Sequence, residues 1–198
     1  MHFLKDPSAQ QIKLDLKGDH LRSIKQGRPW IYRDWLKSLP KAKSGARAML
    51  RDRDGDLVAF GMYDPESVLA FRICAIGRER LDDELIEARL NSAVEIRKGV
   101  VSKNTTGYRL LNGEGDLLPG LVCDVYGESA VIKLDGDGPE GFWNVECLAN
   151  WLRNKLSISA VYKRSKQREG VRGNFISGFE GEARVVFKEN GLKFIADL

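Results

Sequence analysis

The segment Asn112 to Asp135, NGEGDLLPGLVCDVYGESAVIKLD, narrows the choice of fold more than any other stretch. It has two strand-like runs, about Leu121 to Tyr126 and Ala130 to Asp135, close enough to form one hairpin, and an acidic loop rich in glycine with one proline leads into them. A chain holding such a unit is committed there to an antiparallel sheet that needs a covering layer.

The rest of the chain alternates in character. Ile12, Leu14 and Leu16 alternate with Lys13, Asp15 and Lys17 as one half-buried strand ending at Gly18, and a helical turn from Asp19 to Gln26 follows with Gly27 as its stop. Runs at about Ala46 to Asp52 and Leu57 to Tyr63 flank Asp54-Gly55, a dipeptide that favours a tight hairpin turn with both central residues at positive φ. Val68 to Ile76 adds another strand, and this density of short strands predicts a compact barrel. From Glu79 to Val101 Leu85, Leu90, Ala93, Val94 and Arg97 fall at helical spacing, with Asp82, Asp83 and Glu84 suited to the positive end of a helix dipole. Beyond it come a strand at about Tyr108 to Leu111, the hairpin, a helix from Phe142 to Leu156, and strands at Ala160 to Lys163 and Val185 to Phe187. Glu189-Asn190-Gly191 then turns the chain into Leu192 to Ile195. The expected class is α+β and β-rich, in which a barrel and a linker helix precede a sheet covered by one helix.

With 198 residues, one large or two small domains fit, and the change of pattern near residue 77 favours two. Hydrophobic content of 42% and charged content of 30% predict a buried core. A net charge of +4 is too weak to identify a nucleic-acid binder, so the distribution of charge must decide. The three cysteines, Cys74, Cys123 and Cys147, are widely spaced among apolar residues, as expected of reduced core thiols. With only His2 and His20, no histidine metal site or triad is expected, and no apolar run approaches the roughly 20 residues that span a bilayer. A cytoplasmic protein without membrane contact is the resulting expectation.

Tyr162 to Gly173 holds Lys163, Arg164, Lys166, Arg168 and Arg172 against Glu169, a local charge of +4 from five bases and one acid. Such a segment suits phosphates as well as it suits plain solvation. Lys25 to Lys37 interleaves Trp30, Tyr32 and Trp35 with Arg28 and Arg33, a composition compatible with unpaired bases and equally with a small aromatic core. Gly136, Gly138 and Gly141 match GxGxxG between a strand and a helix. However, Val161, Tyr162 and Lys163 stand where an acidic ribose ligand belongs, so a glycine-rich turn is the favoured reading over a dinucleotide-dependent enzyme. Glu114, Asp116 and Asp124 are read as turn and strand-end residues rather than an acid-base pair, since nothing in the sequence buries them. None of the cysteines has a nearby histidine or cationic pocket that would make it a nucleophile.

GRPWIYRDWL at 27 to 36 and GMYDPESVLAFRI at 61 to 73 resemble the N-terminal PUA domain of class I S-adenosylmethionine-dependent methyltransferases that make 5-methylcytosine in large-subunit ribosomal RNA. NGEGDLLPGLVCDVYG at 112 to 127 resembles the middle domain of that family, a strand-strand-helix-strand-strand unit, and FKENGLKFIADL at 187 to 198 resembles the lead-in to its catalytic domain. The resemblance implies a PUA-type RNA-binding domain at 1–76, a linker helix with the middle domain at 77–190, and a lead-in at 191–198 to a catalytic domain missing from the chain. It further implies that cysteine attack at cytosine C6 and methyl transfer to C5 belong to that other domain. No catalytic or cofactor residue is therefore expected here, and S-adenosylmethionine is expected to serve the parent enzyme rather than bind this chain. The expected partner is ribosomal RNA, contacted by Arg28, Arg33, Lys163, Arg164, Lys166, Arg168 and Arg172, and a homodimer is allowed. A stand-alone RNA-binding module is the principal alternative.

Overall fold

The structure, a computed structural model, describes residues 2–6, 11–164, 173–178 and 184–198. Its first sheet comprises β1 (Ile12–Asp15), β2 (Trp30–Ile31), β3 (Ala46–Arg51), β4 (Leu57–Tyr63) and β5 (Phe71–Ile76), in the order β1-β3-β4-β5-β2. The residues that follow β1 and β2 bring its two edges together. The Lys17 N–H donates to the Trp35 carbonyl and the Lys37 N–H to the Asp15 carbonyl, both at 2.8 Å, with Leu16 bridging Leu36. Closure removes the unpaired edges that an open sheet would expose. Leu14, Leu16, Ile31, Leu36, Leu50 and Phe71 fill the interior, and Ile24 of the short α1 (Leu21–Lys25) packs into the same core. The β3–β4 turn differs from the expected form, because Gly55 alone has positive φ, at 93°. The Asp52 carboxylate accepts the N–H groups of Asp54 and Asp56, both at 2.9 Å, so a side chain replaces the backbone geometry that two positive φ angles would have supplied.

The linker is α2 (Asp83–Val100), capped by the Asp82 carboxylate on the Leu85 N–H at 3.1 Å. Its buried stripe of Ile86, Leu90, Ala93 and Val94 enters the second core. That core underlies a sheet of β6 (Gly107–Asn112), β7 (Leu121–Tyr126), β8 (Ser129–Leu134), β9 (Ala160–Arg164) and β10 (Gly173–Gly178), ordered β10-β9-β8-β7-β6. All neighbours are antiparallel except β8 and β9, whose crossover carries α3 (Asp137–Phe142) and α4 (Val145–Leu156). Where one helix from Phe142 was expected there are two. The break falls at Trp143-Asn144 because the start of the chain pairs there: Leu4 bridges Trp143, and the Asn144 N–H donates to the Phe3 carbonyl at 2.8 Å. Asn144 then caps α4 through the Cys147 N–H.

Three strands precede these helices and two follow, so the expected strand-strand-helix-strand-strand order is short by one strand at its start. β10 has no counterpart among the expected strands. The strands expected near Val185 and Leu192 form a separate hairpin, β11 (Arg184–Glu189) with β12 (Leu192–Asp197). Its Asn190-Gly191 turn has φ of 50° and 88°, the doubly positive form expected instead at Asp54-Gly55. This hairpin lies on the sheet face opposite the helices: Val185, Ala196 and Leu198 pack with Tyr126, Val131, Tyr162 and Phe175. Phe187 fills the space left by the absent Cβ of Gly107.

Candidate nucleic-acid interface

The acidic loop fastens the two cores together. Asn112 leads into a 3-10 turn, Gly113–Asp116, closed by Leu117 in the left-handed region at φ 58°. Glu114 Oε1 accepts hydrogen bonds from Trp30 Nε1 and Arg72 Nη1, both at 2.9 Å, which joins the loop to the barrel. Arg72, whose side chain is 12% exposed, also reaches Asp135 at the end of β8 at 3.3 Å. Asp116 receives both terminal nitrogens of Arg97 on α2 at 2.7 Å, while its Oδ2 also accepts the Asn112 N–H at 2.6 Å. Asp124 pairs with Arg109 at 2.9 Å. The expectation that nothing buries these carboxylates fails for Asp116, whose side chain is 7% exposed. Each of the three faces an arginine rather than another carboxylate, an arrangement for structural anchoring and not for acid-base exchange. Arg72 and Arg97 were missed from sequence, although a lone arginine inside the apolar run FRICAI hints at a buried partner.

The glycine stretch has a similar structural duty. A Cβ on Gly141 would lie 1.9 Å from the Ser44 carbonyl oxygen, and one on Gly138 would lie 3.3 Å from both Asp64 Oδ2 and Met62 sulfur. Barrel atoms thus occupy the space that the pyrophosphate of a dinucleotide or the ribose of S-adenosylmethionine would need at Gly138 and Gly141, and these two glycines do not fit either group. The thiols are equally unsuited to attack. Burial pushes the Cys74 thiol up to about 12 against the partial opposition of Arg89, and burial reinforced by Asp124 pushes Cys123 higher still. Cys147 is raised for the same first reason, its burial. Among the described residues no cluster of histidine, cysteine or carboxylate groups could hold a metal.

The predicted cations separate into three groups. Arg28 and Arg33 are exposed on the barrel, and the Arg28 guanidinium lies 5.3 Å from the Trp35 ring centre. Trp35 is already stacked on His20, with ring centres 3.9 Å apart and planes within 2°, and Tyr32 meets it edge-on. Trp30 is fixed through its indole N–H on Glu114, so each of the three rings of this segment already has a partner within the fold. On β9, Lys163 and Arg164 face opposite ways. Lys163 turns toward α3 and binds Glu140 at 2.7 Å, whereas Arg164 is exposed. Lys166, Arg168 and Arg172 lie outside the described residues. Among the described residues no helix is long and apolar enough to cross a membrane.

The family model of a PUA-like domain matches residues 14–75, the region of the closed barrel. Over 206 aligned residues the chain is 31% identical to a ribosomal RNA large subunit methyltransferase of Deinococcus radiodurans, a match covering 96% of this chain and 50% of that protein. Ribosomal RNA large subunit methyltransferase I of Vibrio parahaemolyticus is 29% identical over 185 residues, covering 89% and 46% respectively. In three dimensions the chain matches a candidate SAM-dependent methyltransferase from Streptococcus mutans with a TM-score of 0.77 at 16% identity, over 95% of this chain and 49% of that one. A solved candidate methyltransferase complexed with SAH gives a TM-score of 0.78, also at 16% identity, over 95% and 48%. The chain carries a PUA-like domain and spans about half the length of the ribosomal RNA large subunit methyltransferases to which it is similar.

Proposed function

We propose that these residues are the RNA-recognition portion of a SAM-dependent methyltransferase acting on cytosine C5 of large-subunit ribosomal RNA, and that the bond-making groups lie outside them. The observation that carries this reading is the similarity to ribosomal RNA large subunit methyltransferases along nearly the whole chain. Two features of the molecule support the division of labour. Cys74 and Cys123 are buried and held protonated, and Gly138 and Gly141 of the GxGxxG stretch face the barrel's own atoms. The barrel at 1–76 and the unit at 77–190 would then position RNA through phosphate contacts, Arg28, Arg33 and Arg164 among them, so that a cytosine can leave its stack for a pocket elsewhere.

Filter binding of the 198-residue chain to purified 23S ribosomal RNA tests this. Log affinity should fall linearly with log salt, and Arg28→Glu with Arg33→Glu should make that slope shallower by about 1.5, roughly 0.7–0.9 per lost phosphate contact. No retention of RNA in dilute buffer would end the reading.

A further inference from the structure

Among the described residues, the sheet of the second unit has one face under α2 and α4 and one face only partly covered by the β11–β12 hairpin. Register fixes what the uncovered part presents. Across the sheet, Arg109, Asp124, Val131, Tyr162 and Phe175 form one row, and the hairpin covers its Val131–Phe175 end. The next row away from the hairpin begins with Asn112 opposite Val122 and Val122 opposite Lys133. One residue beyond the Ile132–Lys163 pair, Lys133 stands beside Arg164, which is itself opposite Gly173. Neighbouring strands lie about 4.8 Å apart, so Lys133 and Arg164 put two cations side by side on one flat surface. Both are exposed, and neither forms an ion pair among the described residues. The nearby carboxylates are already engaged, Asp124 by Arg109 and Asp135 by Arg72. Asn112 and Gly173 at the two ends of the row add no bulky apolar group.

We infer that this bare row of the sheet, centred on Lys133 and Arg164, is a phosphate-binding platform for the RNA. The inference rests on the proposed function and extends it, placing a second contact surface on the middle sheet in addition to the barrel. It brings in Lys133, which lies outside both basic segments of the sequence, and it leaves out Lys163, whose charge is spent on Glu140 across the sheet. A flat sheet carrying cations without an aromatic platform suits backbone contact, which sets register and orientation and leaves base reading to other elements.

The test uses the 198-residue chain and purified 23S ribosomal RNA at several salt concentrations. Lys133→Glu with Arg164→Glu should weaken binding at least tenfold in dilute salt and lower the salt slope by about 1.5. Lys133→Gln with Arg164→Gln should lower the slope by a similar amount with a smaller loss of affinity, which separates lost contacts from introduced repulsion. Lys155→Glu, on α4 behind the sheet, should leave the slope unchanged. Unfolding curves identify any variant that has lost its fold, and the glutamine pair then decides. If the unchanged chain binds and both double variants keep its slope, the platform is refuted while the RNA reading stands. If the unchanged chain fails to bind, both fall together.

Discussion

Asp116 shows how much one carboxylate can carry in a loop of small residues. It meets Arg97 through two 2.7 Å bonds, and the Arg97 Nε reaches the Arg109 carbonyl at 3.3 Å, so one arginine ties α2 to β6 and to the loop. Asp116→Asn keeps the shape but leaves Arg97 shielded from water without its counter-charge, and should cost about 2–3 kcal/mol in urea unfolding. Asp124→Asn removes a partner from Arg109, whose side chain is 53% exposed, and should cost under about 1 kcal/mol. Equal losses would mean that burial does not separate the two pairs. The thiols make a pH prediction at the same scale. A thiol raised to about 12 in the fold stays protonated while the unfolded chain ionises near 9, so the unfolded state binds fewer protons between these values. Stability should be flat through neutral pH and fall from about pH 9 upward, and Cys74→Ala with Cys123→Ala should flatten that decline. An identical alkaline slope in the double variant would exclude the thiols as its source.

Among the elements, α3 is where sequence pattern and structure differ most instructively. Its glycines match a nucleotide-binding spacing, yet Gly141 is required because the helix runs there against the Ser44-Gly45 backbone of the barrel. Gly141→Ala forces a methyl group into a carbonyl that cannot move freely and should cost about 1–3 kcal/mol by over-packing. Gly138→Ala meets only a methionine sulfur and a carboxylate end at 3.3 Å and should cost less. Thermal unfolding of the two variants checks the order, and a reversed order would remove the barrel contact as the reason for glycine at 141. Strands and α2 were legible because alternation and 3.6-residue spacing report burial directly. The break after Phe142 was not, since its cause is a bridge from Leu4, far away in sequence. β10 was hidden because Gly173–Gly178 lies at a sheet edge, half-covered, with a glycine at each end and no apolar alternation to announce it. At the site, Arg28, Arg33 and Arg164 could be read as exposed cations, but the difference between Lys163 and Lys133 could not. It depends on which face of the sheet each occupies and on Glu140 waiting behind one of them.

At the scale of the molecule, the barrel and the second unit act together only if their relative orientation is fixed, and it is held by apolar packing of Met62, Cys74 and Ala75 into the second core together with polar contacts. Glu114 is the central one, because the same oxygen holds Trp30 and Arg72 from the barrel while Arg72 continues to Asp135. Cations on a rigid body engage one RNA as a single event, whereas cations on two loosely joined bodies must each be ordered again on binding. Glu114→Ala removes no positive charge and touches neither Lys133 nor Arg28. If the two surfaces bind the same RNA, this variant should keep the salt slope of the unchanged chain, since the number of phosphate contacts is the same, and yet bind several-fold more weakly because their alignment is lost. The result that counts against a shared rigid surface is an affinity unchanged in Glu114→Ala while unfolding shows the expected weakening of about 1–3 kcal/mol from the buried groups it leaves unpaired. In that case barrel and sheet would bind as independent modules, and the acidic loop would serve stability alone.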